Sequence, residues 1–294
     1  MNDELLVDKR LVRRSFEHAA ASYDAAAVLQ NEVCRRMLGR LDYIKHQPAT
    51  LLDAGSGTGN ALDELARRYP RTRLIALDIA LAMLQRGRSR APWWKSLLAR
   101  RALAAVCADI ECLPAADASI GMVWSNLALQ WVNDLQRTFS EMQRVLAPGG
   151  LLMFSTFGPD TLKELRRAYR GTDHHTHVNR FVDMHDIGDM LVHSGFADPV
   201  MDMEVFTLTY ADVRELMRDL KAIGAHNMTQ GRPAGLSGKL QFEAMARNYE
   251  GFRREGRLPA TFEVVYGHAW KPQPRISPTG RPVIEIKRRP GGLI

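Results

Sequence analysis

The segment Asp53-Ala54-Gly55-Ser56-Gly57-Thr58-Gly59 directly follows a short apolar run that begins at Thr50. An apolar run of this length, bounded by glycines, is typical of a buried β-strand. Glycine allows a tight turn in which backbone N–H groups approach a ligand without interference from a side chain. A helical pattern follows from Asn60 to Tyr69. The order of strand, glycine turn and helix therefore predicts a small-molecule site at the end of the first strand.

Further short apolar runs alternate with helical stretches along the chain. The predicted strands after the first are Arg73–Asp78, Ala104–Cys107, Ile120–Trp124, Leu151–Ser155, Val200–Thr209 and Thr261–Gly267. A helix from Asp134 to Leu146 is expected to stop at Pro148-Gly149-Gly150. Such alternation indicates an α/β fold with a Rossmann-like sheet. We expect the sheet to be mostly parallel with an antiparallel edge strand, and to carry a helical lid.

The same pattern divides the chain into segments. We predict a helical lid segment over residues 1–46 and a Rossmann-like cofactor-binding core over 47–160. Residues 161–260 would supply substrate and lid helices with the sixth strand, and residues 261–270 the last strand. A proline- and arginine-rich flexible tail is expected over 271–294.

Composition restricts the class of protein. The 294 residues are 46 % hydrophobic and carry a formal charge of +7, which modestly favours anionic partners. The start, Met1-Asn2-Asp3-Glu4, lacks the features of a signal peptide, and no apolar run approaches the roughly 18 residues of a membrane span. A cytoplasmic protein is expected. His174, His175 and His177 share one loop but lack an acidic or cysteine partner at ligand spacing, so no metal site is predicted.

The identity of the ligand depends on the glycine spacing. A dinucleotide fingerprint needs a glycine three residues after Gly57, where the chain has Asn60. A ligand without a pyrophosphate, such as S-adenosylmethionine, fits better, although a nicotinamide cofactor stays open. Asp78 ends the second strand and can accept hydrogen bonds from two ribose hydroxyls.

Later motifs resemble class I methyltransferases. Asp109 and Ile110 follow the third strand, where they would contact the adenine, and Ser125 and Asn126 end the fourth. The predicted cofactor residues are Tyr23, Asp53, Gly55, Ser56, Gly57, Gly59, Asp78, Ile79, Met83, Asp109, Ile110, Ser125 and Asn126.

From Arg13 to about Gly267 the chain resembles the family of malonyl-(acyl-carrier protein) O-methyltransferases of the biotin pathway. The segments that carry the resemblance are Phe16–Asp24, Leu29-Gln30, Asp109–Pro114, Trp124–Trp131, Asn179–Phe181 and Leu220–Ala225. A long connection around Trp93-Trp94 and the tail after His268 depart from the family pattern.

The resemblance implies S-adenosylmethionine-dependent methylation of the free carboxylate of a malonyl thioester on an acidic acyl-carrier protein. A carboxylate is ionised at neutral pH, so the enzyme needs no general base but must align the carboxylate with the methyl group. Neither nucleic acid nor a membrane is an expected partner, and a monomer is expected. A small-acid O-methyltransferase and a non-catalytic methyltransferase-like assembly protein remain alternatives.

Candidate substrate residues follow from this chemistry. Arg180 would anchor the carboxylate through its planar guanidinium, with Asn179 beside it. Tyr23 would belong to the lid, while Gln130 and Trp131 would line the pocket near the methyl group. Arg214, Arg218 and Lys221 recur along one helix face and could guide the acidic carrier. Each role has a competing interpretation. Arg180 could form a structural salt bridge, Tyr23 and Trp131 could be core packing, and the three basic residues could be a solvated helix face.

Overall fold

The computed structural model describes residues 6–90, 103–172, 175–225, 227–229 and 239–274. A seven-stranded sheet with the order β3-β2-β1-β4-β5-β7-β6 forms its centre. Strands β1 to β5 pair in parallel, whereas β7 is antiparallel to both β5 and the outermost strand β6. The expected Rossmann-like class I methyltransferase sheet is thereby confirmed. Its antiparallel strand, β7, lies next to the edge strand β6.

The element bounds are close to those expected from the sequence. The strands are β1 (Thr50–Ala54), β2 (Arg73–Asp78), β3 (Leu103–Cys107), β4 (Ile120–Asn126), β5 (Leu146–Phe157), β6 (Ala197–Tyr210) and β7 (Leu258–Trp270). The helices are α1 (Lys9–Ala19), α2 (Tyr23–Ala26), α3 (Val28–Arg40), α4 (Leu62–Arg68), α5 (Leu81–Arg90), α6 (Leu135–Val145), α7 (Lys163–Ala168), α8 (Met184–His193), α9 (Val213–Ala222) and α10 (Lys239–Glu250). Single 3-10 turns cover Leu41–Tyr43 and Leu129–Trp131.

Helices cover both faces of the sheet, which explains why its central strands are apolar throughout. Successive residues of β1 point to opposite faces, so Leu51 joins one core and Leu52 the other. The Leu51 core contains α3, α4 and α10 through Met37, Leu65, Tyr249 and their neighbours. The Leu52 core contains α6 and α8 through residues such as Phe139 and Ile187. The sheet is therefore a rigid support for the loops at its carboxyl edge.

Polar contacts attach the N-terminal helices to this support. The Glu17 carboxylate of α1 accepts hydrogen bonds from the N–H groups of Leu81 and Ala82, at 2.8 and 3.2 Å. Within α5 these N–H groups of the first turn have no carbonyl partner, and the N-terminus of a helix stabilises a negative charge. On α3, Arg40 forms an ion pair of 2.9 Å with Glu204 of β6. The N-terminal segment thus lies against both ends of the sheet.

Several expected strand boundaries were wrong, most of all at β5. Strand β5 begins at Leu146 instead of Leu151, because Leu146 already pairs with Ile120 of β4. Further along, the Gly149 N–H donates to the Lys271 carbonyl at 2.8 Å, and the Lys271 N–H donates to the Gly150 carbonyl at 2.9 Å. Lys271, assigned to the flexible tail, therefore extends the sheet pairing. Helix α10 ends at Glu250, and a turn begins at Gly251. The Trp93-Trp94 connection and residues 275–294 lie outside the described residues.

In the part of the chain that the structure describes, no helix is both long and apolar enough to span a membrane.

Candidate active site

A cavity lies at the carboxyl ends of the parallel strands, beneath α1 and α2, and we name it the cofactor cavity. Its lining residues are Lys9, Val12, Phe16, Tyr23, Gly55, Gly57, Asp78, Ile79, Met83, Ala108, Asp109, Ile110, Asn126, Leu127, Ala128 and Trp131. Ligands of open α/β sheets bind at this edge. Most of the predicted cofactor residues line this single space.

The glycine turn is held in place by backbone contacts. The N–H groups of Gly55 and Ser56 both donate to the Leu77 carbonyl of β2, at 2.8 and 2.9 Å. Gly55 has a φ of +83°, and a Cβ atom there would lie 2.2 Å from the Cβ of Ala128. Only glycine fits, because the conformation is left-handed and the loop after β4 passes directly against it.

Asp78 connects the turn to the second strand. Its carboxylate accepts hydrogen bonds from the N–H groups of Gly57 and Ala80, each at 2.8 Å. The residue is buried, and burial raises the pKa of its carboxyl to about 6 in spite of these two donors. A carboxylate at this place can accept hydrogen bonds from the two ribose hydroxyls of an adenosine.

The end of the cavity next to Asp109 has an ion pair that the sequence did not reveal. Lys9 of α1 binds Asp109 at 3.0 Å and Glu111 at 2.8 Å, which ties the lid to the loop after β3. Ile110 is buried beside them. Asp109 also accepts from the Glu111 N–H at 3.0 Å, through the same oxygen that Lys9 contacts. No sequence spacing connects Lys9 with a loop 100 residues away, so only the fold could identify it.

Aromatic side chains cover the cavity opposite the glycine turn. Phe16 of α1 packs edge-on against Trp131, with ring centroids 5.4 Å apart, and against Tyr23 at 6.5 Å. Burial raises the pKa of Tyr23, with Asp78 and Asp24 adding to the effect, so its hydroxyl stays protonated. Tyr23 can therefore serve as a neutral donor but not as a base.

Four predicted cofactor residues do not line the cavity: Asp53, Ser56, Gly59 and Ser125. Ser125 is fully buried and donates to the Ala54 carbonyl at 2.8 Å, so it joins β4 to β1. Gly59 closes the turn by donating to the Ser56 carbonyl at 2.9 Å. The Asp53 side chain is buried below the turn, where burial raises the pKa of its carboxyl to about 7.

Two further cavities adjoin the substrate side. The inner chamber, about 290 Å³, is largely apolar and is walled by α3, α7, α9 and β7, with Leu29, Leu165, Leu220 and Phe262 among its residues. The vestibule, about 1180 Å³, is open and carries Arg166, Arg170 and Arg180. Trp131 lines both the cofactor cavity and the inner chamber. Residues of the 3-10 turn Leu129–Trp131 therefore line all three spaces.

The predicted substrate residues divide between these spaces. Gln130 and Asn179 line both the inner chamber and the vestibule. Arg180 lines the vestibule but neither the inner chamber nor the cofactor cavity, and its side chain is exposed. Within the described residues, no ion pair involves Arg180, contrary to the salt-bridge interpretation.

Sequence reasoning missed several residues of these walls. Tyr169 and His177 stack face to face, with centroids 3.7 Å apart, at the boundary between vestibule and chamber. Arg166 lies in α7 and Arg170 just beyond its end, and both line the vestibule. Arg166 donates to the carbonyls of Pro159 and Thr161, at 2.8 and 3.1 Å.

The basic residues of α9 face solvent. Arg214, Arg218 and Lys221 are all exposed, while Leu216 and Leu220 on the other side of the helix are buried. Arg214 lies over the Phe242 ring at 4.9 Å. No cluster of three or more metal-binding side chains occurs in the described part of the chain, and His174 lies outside it.

Comparison with known proteins agrees with this geometry. A family model described as a methyltransferase domain matches residues 52–154. The phosphoethanolamine N-methyltransferase 2 of Haemonchus contortus, solved with S-adenosylhomocysteine, has the same fold with a TM-score of 0.53 and 16 % identity, over 91 % of this chain and 61 % of that one. The sheet order and the cofactor cavity define an S-adenosylmethionine-dependent methyltransferase.

Two curated relatives specify the family. The malonyl-(acyl-carrier protein) O-methyltransferase of Gallionella capsiferriformans is 60 % identical over 96 % of this chain and 98 % of its own length. That of Nitrosospira multiformis is 58 % identical over 94 % of both chains. The chain belongs to the malonyl-(acyl-carrier protein) O-methyltransferase family.

The raised pKa of Asp78 leads to a prediction on cofactor affinity. Ribose hydroxyls donate to the ionised carboxylate, so affinity for S-adenosylhomocysteine should be full above the pKa of about 6 and fall as the pH drops below it. Isothermal titration calorimetry between about pH 8 and about pH 5 measures this. The Asp78→Asn variant should bind S-adenosylhomocysteine weakly, and its affinity should not fall as the pH drops through this range. Asp53→Asn is the control, since that carboxyl lies outside the cavity. If the affinity of this variant no longer fell with pH, the assignment of Asp78 as the titrating group would be contradicted.

Proposed function

We propose that this enzyme transfers the methyl group of S-adenosylmethionine to the free carboxylate of malonyl-acyl-carrier protein. The product is the methyl ester, formed at the start of pimeloyl-chain synthesis for biotin in the cytoplasm. The observation that carries the proposal is that residues of the Leu129–Trp131 turn form part of the wall of all three spaces. The near full-length similarity to enzymes named for this substrate supports it.

The cofactor cavity provides contacts for each part of S-adenosylmethionine. Asp78 would bind the ribose, Asp109 and Ile110 the adenine, and the Gly55–Gly57 turn with Asn126 the methionine end. Ile79 and Met83 would pack on the nucleoside, with Tyr23 closing the lid. When bound, the cofactor supplies an electrophilic methyl group on a sulfonium. The partly buried ring of Trp131 would face the side from which the acceptor arrives.

The acceptor requires alignment and not activation. Its carboxylate is already ionised, so no residue has to remove a proton. Trp131 of the Leu129–Trp131 turn would form the wall that keeps a carboxylate oxygen aligned with the methyl group and excludes water. The carboxylate oxygen would form the new bond to the methyl carbon that the bound cofactor supplies, and the electron pair of the broken bond would stay on the sulfur.

Arg180 is the proposed anchor for the carboxylate. It lies between Asn179 and Phe181, which line both substrate spaces, and its own guanidinium is in the vestibule. The side chain is long, and within the described residues no carboxylate pairs with it. It can therefore turn towards a malonyl group that enters from the vestibule. A carboxylate matches the planar donor fork of arginine.

The carrier would dock on α9. This helix walls the inner chamber through Met217 and Leu220 and presents Arg214, Arg218 and Lys221 on its exposed face. An acidic carrier docked there would be close to the entrance, with its arm directed into the substrate spaces.

Methyl transfer to matched carriers tests the proposed function. Labelled S-adenosylmethionine is supplied with malonyl-, succinyl- and acetyl-carrier protein, and with free malonate. Label is expected on malonyl-carrier as a methyl ester, identified by mass spectrometry, and not on acetyl-carrier, which has no free carboxylate. Preferential methylation of free malonate would favour the small-acid enzyme, and no transfer to any acceptor would favour a non-catalytic protein.

Arg180→Ala should raise KM for malonyl-carrier by about tenfold to a hundredfold, because a charge-assisted contact to the carboxylate is lost. The affinity for S-adenosylhomocysteine should not change. Steady-state kinetics and calorimetry give the two quantities. Arg167→Ala is the matched control, an exposed arginine of α7 that lines none of the three spaces. Equal loss of both affinities would reject the anchor role.

Reversal of the α9 charges should affect only the carrier-bound substrate. Arg214→Glu, Arg218→Glu and Lys221→Glu together are expected to lower kcat/KM for malonyl-carrier by about tenfold or more and to weaken its dependence on ionic strength. The malonyl thioester of N-acetylcysteamine, which has no carrier, should react at the unchanged rate. An equal decrease with both substrates would show a structural effect and contradict docking on this face.

A further inference from the structure

Two amide oxygens on the substrate side of the site are buried and lack a hydrogen-bond partner among the described residues. They are Oε1 of Gln130 and Oδ1 of Asn179. Asn179 is only 8 % exposed. A buried acceptor without a donor is energetically costly. Two such acceptors in the wall of one space indicate a ligand that brings N–H groups.

The orientation of the Gln130 amide is fixed by its other end. Its Nε2 donates to the Leu127 carbonyl at 2.6 Å. Rotation of the amide by half a turn would place Oε1 against that carbonyl oxygen, which is repulsive. Oε1 is therefore the end of the amide that has no hydrogen-bond donor. The backbone beneath it is held as well, since the Trp131 N–H donates to the Ala128 carbonyl at 3.1 Å.

The location of the two oxygens restricts the donor. Gln130 and Asn179 line both the inner chamber and the vestibule, and neither lines the cofactor cavity. The ammonium group of the cofactor is thus not their partner. The malonyl group cannot supply a donor either, because its carboxylate and its thioester carbonyl only accept hydrogen bonds.

The arm that carries the malonyl group does contain suitable donors. A pantetheine arm has an amide N–H two methylene groups beyond the thioester sulfur, and a second amide further along. We infer that Gln130 and Asn179 accept hydrogen bonds from the amide N–H groups of this arm. The inference rests on the proposed function and adds the part of the substrate that these residues recognise. Gln130 is the neighbour of Trp131, which borders the cofactor cavity, so an arm held at Gln130 directs its acyl end towards the methyl group.

This arrangement separates two recognition tasks. Arg180 would bind the carboxylate, whereas Gln130 and Asn179 would select acyl groups attached to a pantetheine-type arm. A free dicarboxylate offers no N–H and would leave both amide oxygens unpaired. Sites that hydrogen-bond a substrate N–H discriminate strongly against analogues without it.

A pair of isosteric substrates tests the inference. One is the malonyl thioester of N-acetylcysteamine, and the other is the malonyl thioester of 2-mercaptoethyl acetate, in which an ester oxygen replaces the N–H. The wild-type enzyme should prefer the amide by about tenfold to a hundredfold in kcat/KM. Gln130→Met and Asn179→Leu should each lower kcat/KM for the amide by a larger factor than kcat/KM for the ester, so the preference approaches one. Gln143→Met, which lines none of the three spaces, should retain the wild-type preference.

The outcomes are distinguishable. Equal use of both thioesters by the wild-type enzyme would overturn the inference, whatever the variants do, while methylation of malonyl-carrier would still support the proposed function. An equal decrease with both thioesters in a variant that binds S-adenosylhomocysteine normally would also overturn it. No turnover of either thioester or of malonyl-carrier would reject the proposed function and the inference together.

Discussion

At the carboxyl edge of the sheet, the turn after β1 passes so close to the loop after β4 that Gly55 has no room for a Cβ atom against Ala128. The same turn is joined to β2 by the two N–H groups that donate to Leu77 and by the contact between Gly57 and Asp78. This close approach sets the floor of the cofactor cavity. It also determines where the 3-10 turn Leu129–Trp131 begins, since Ala128 directly precedes it. The substrate spaces depend on the position of that turn.

The lid is the second part of this arrangement. Helix α1 is tied to the loop after β3 by Lys9 and to α5 by Glu17, so it lies over the cofactor cavity. The Thr58 hydroxyl donates to Asp24 at 2.5 Å and joins α2 to the glycine turn. The ion pair of Lys9 with Asp109 is partly exposed, and ion pairs of this kind are individually weak.

Much of this architecture could be predicted from the sequence. The alternation of strands and helices predicted the sheet, because apolar runs and glycine turns are local signals. Asp78 was identified as the acid that ends the second predicted strand. Contacts between distant segments were not accessible. Gly149 pairs with Lys271, which is far away along the chain, and the ion pair of Lys9 with Asp109 joins segments without any shared spacing. Arg180 was selected from its motif, whereas its exposed position in the vestibule depends on the fold of the loop around it, which no periodicity determines.

The central claim is that the malonyl arm enters over the Leu129–Trp131 turn and brings its carboxylate to the cofactor methyl group. A crystal structure of the enzyme with S-adenosylhomocysteine and malonyl-acyl-carrier protein tests this most directly. The account predicts a carboxylate oxygen facing the cofactor sulfur, with the arm beside Gln130 and Asn179 and the guanidinium of Arg180 at the carboxylate. An arm that reaches the sulfur by another side of the cavity, or a malonyl carboxylate directed away from the sulfur, would contradict it.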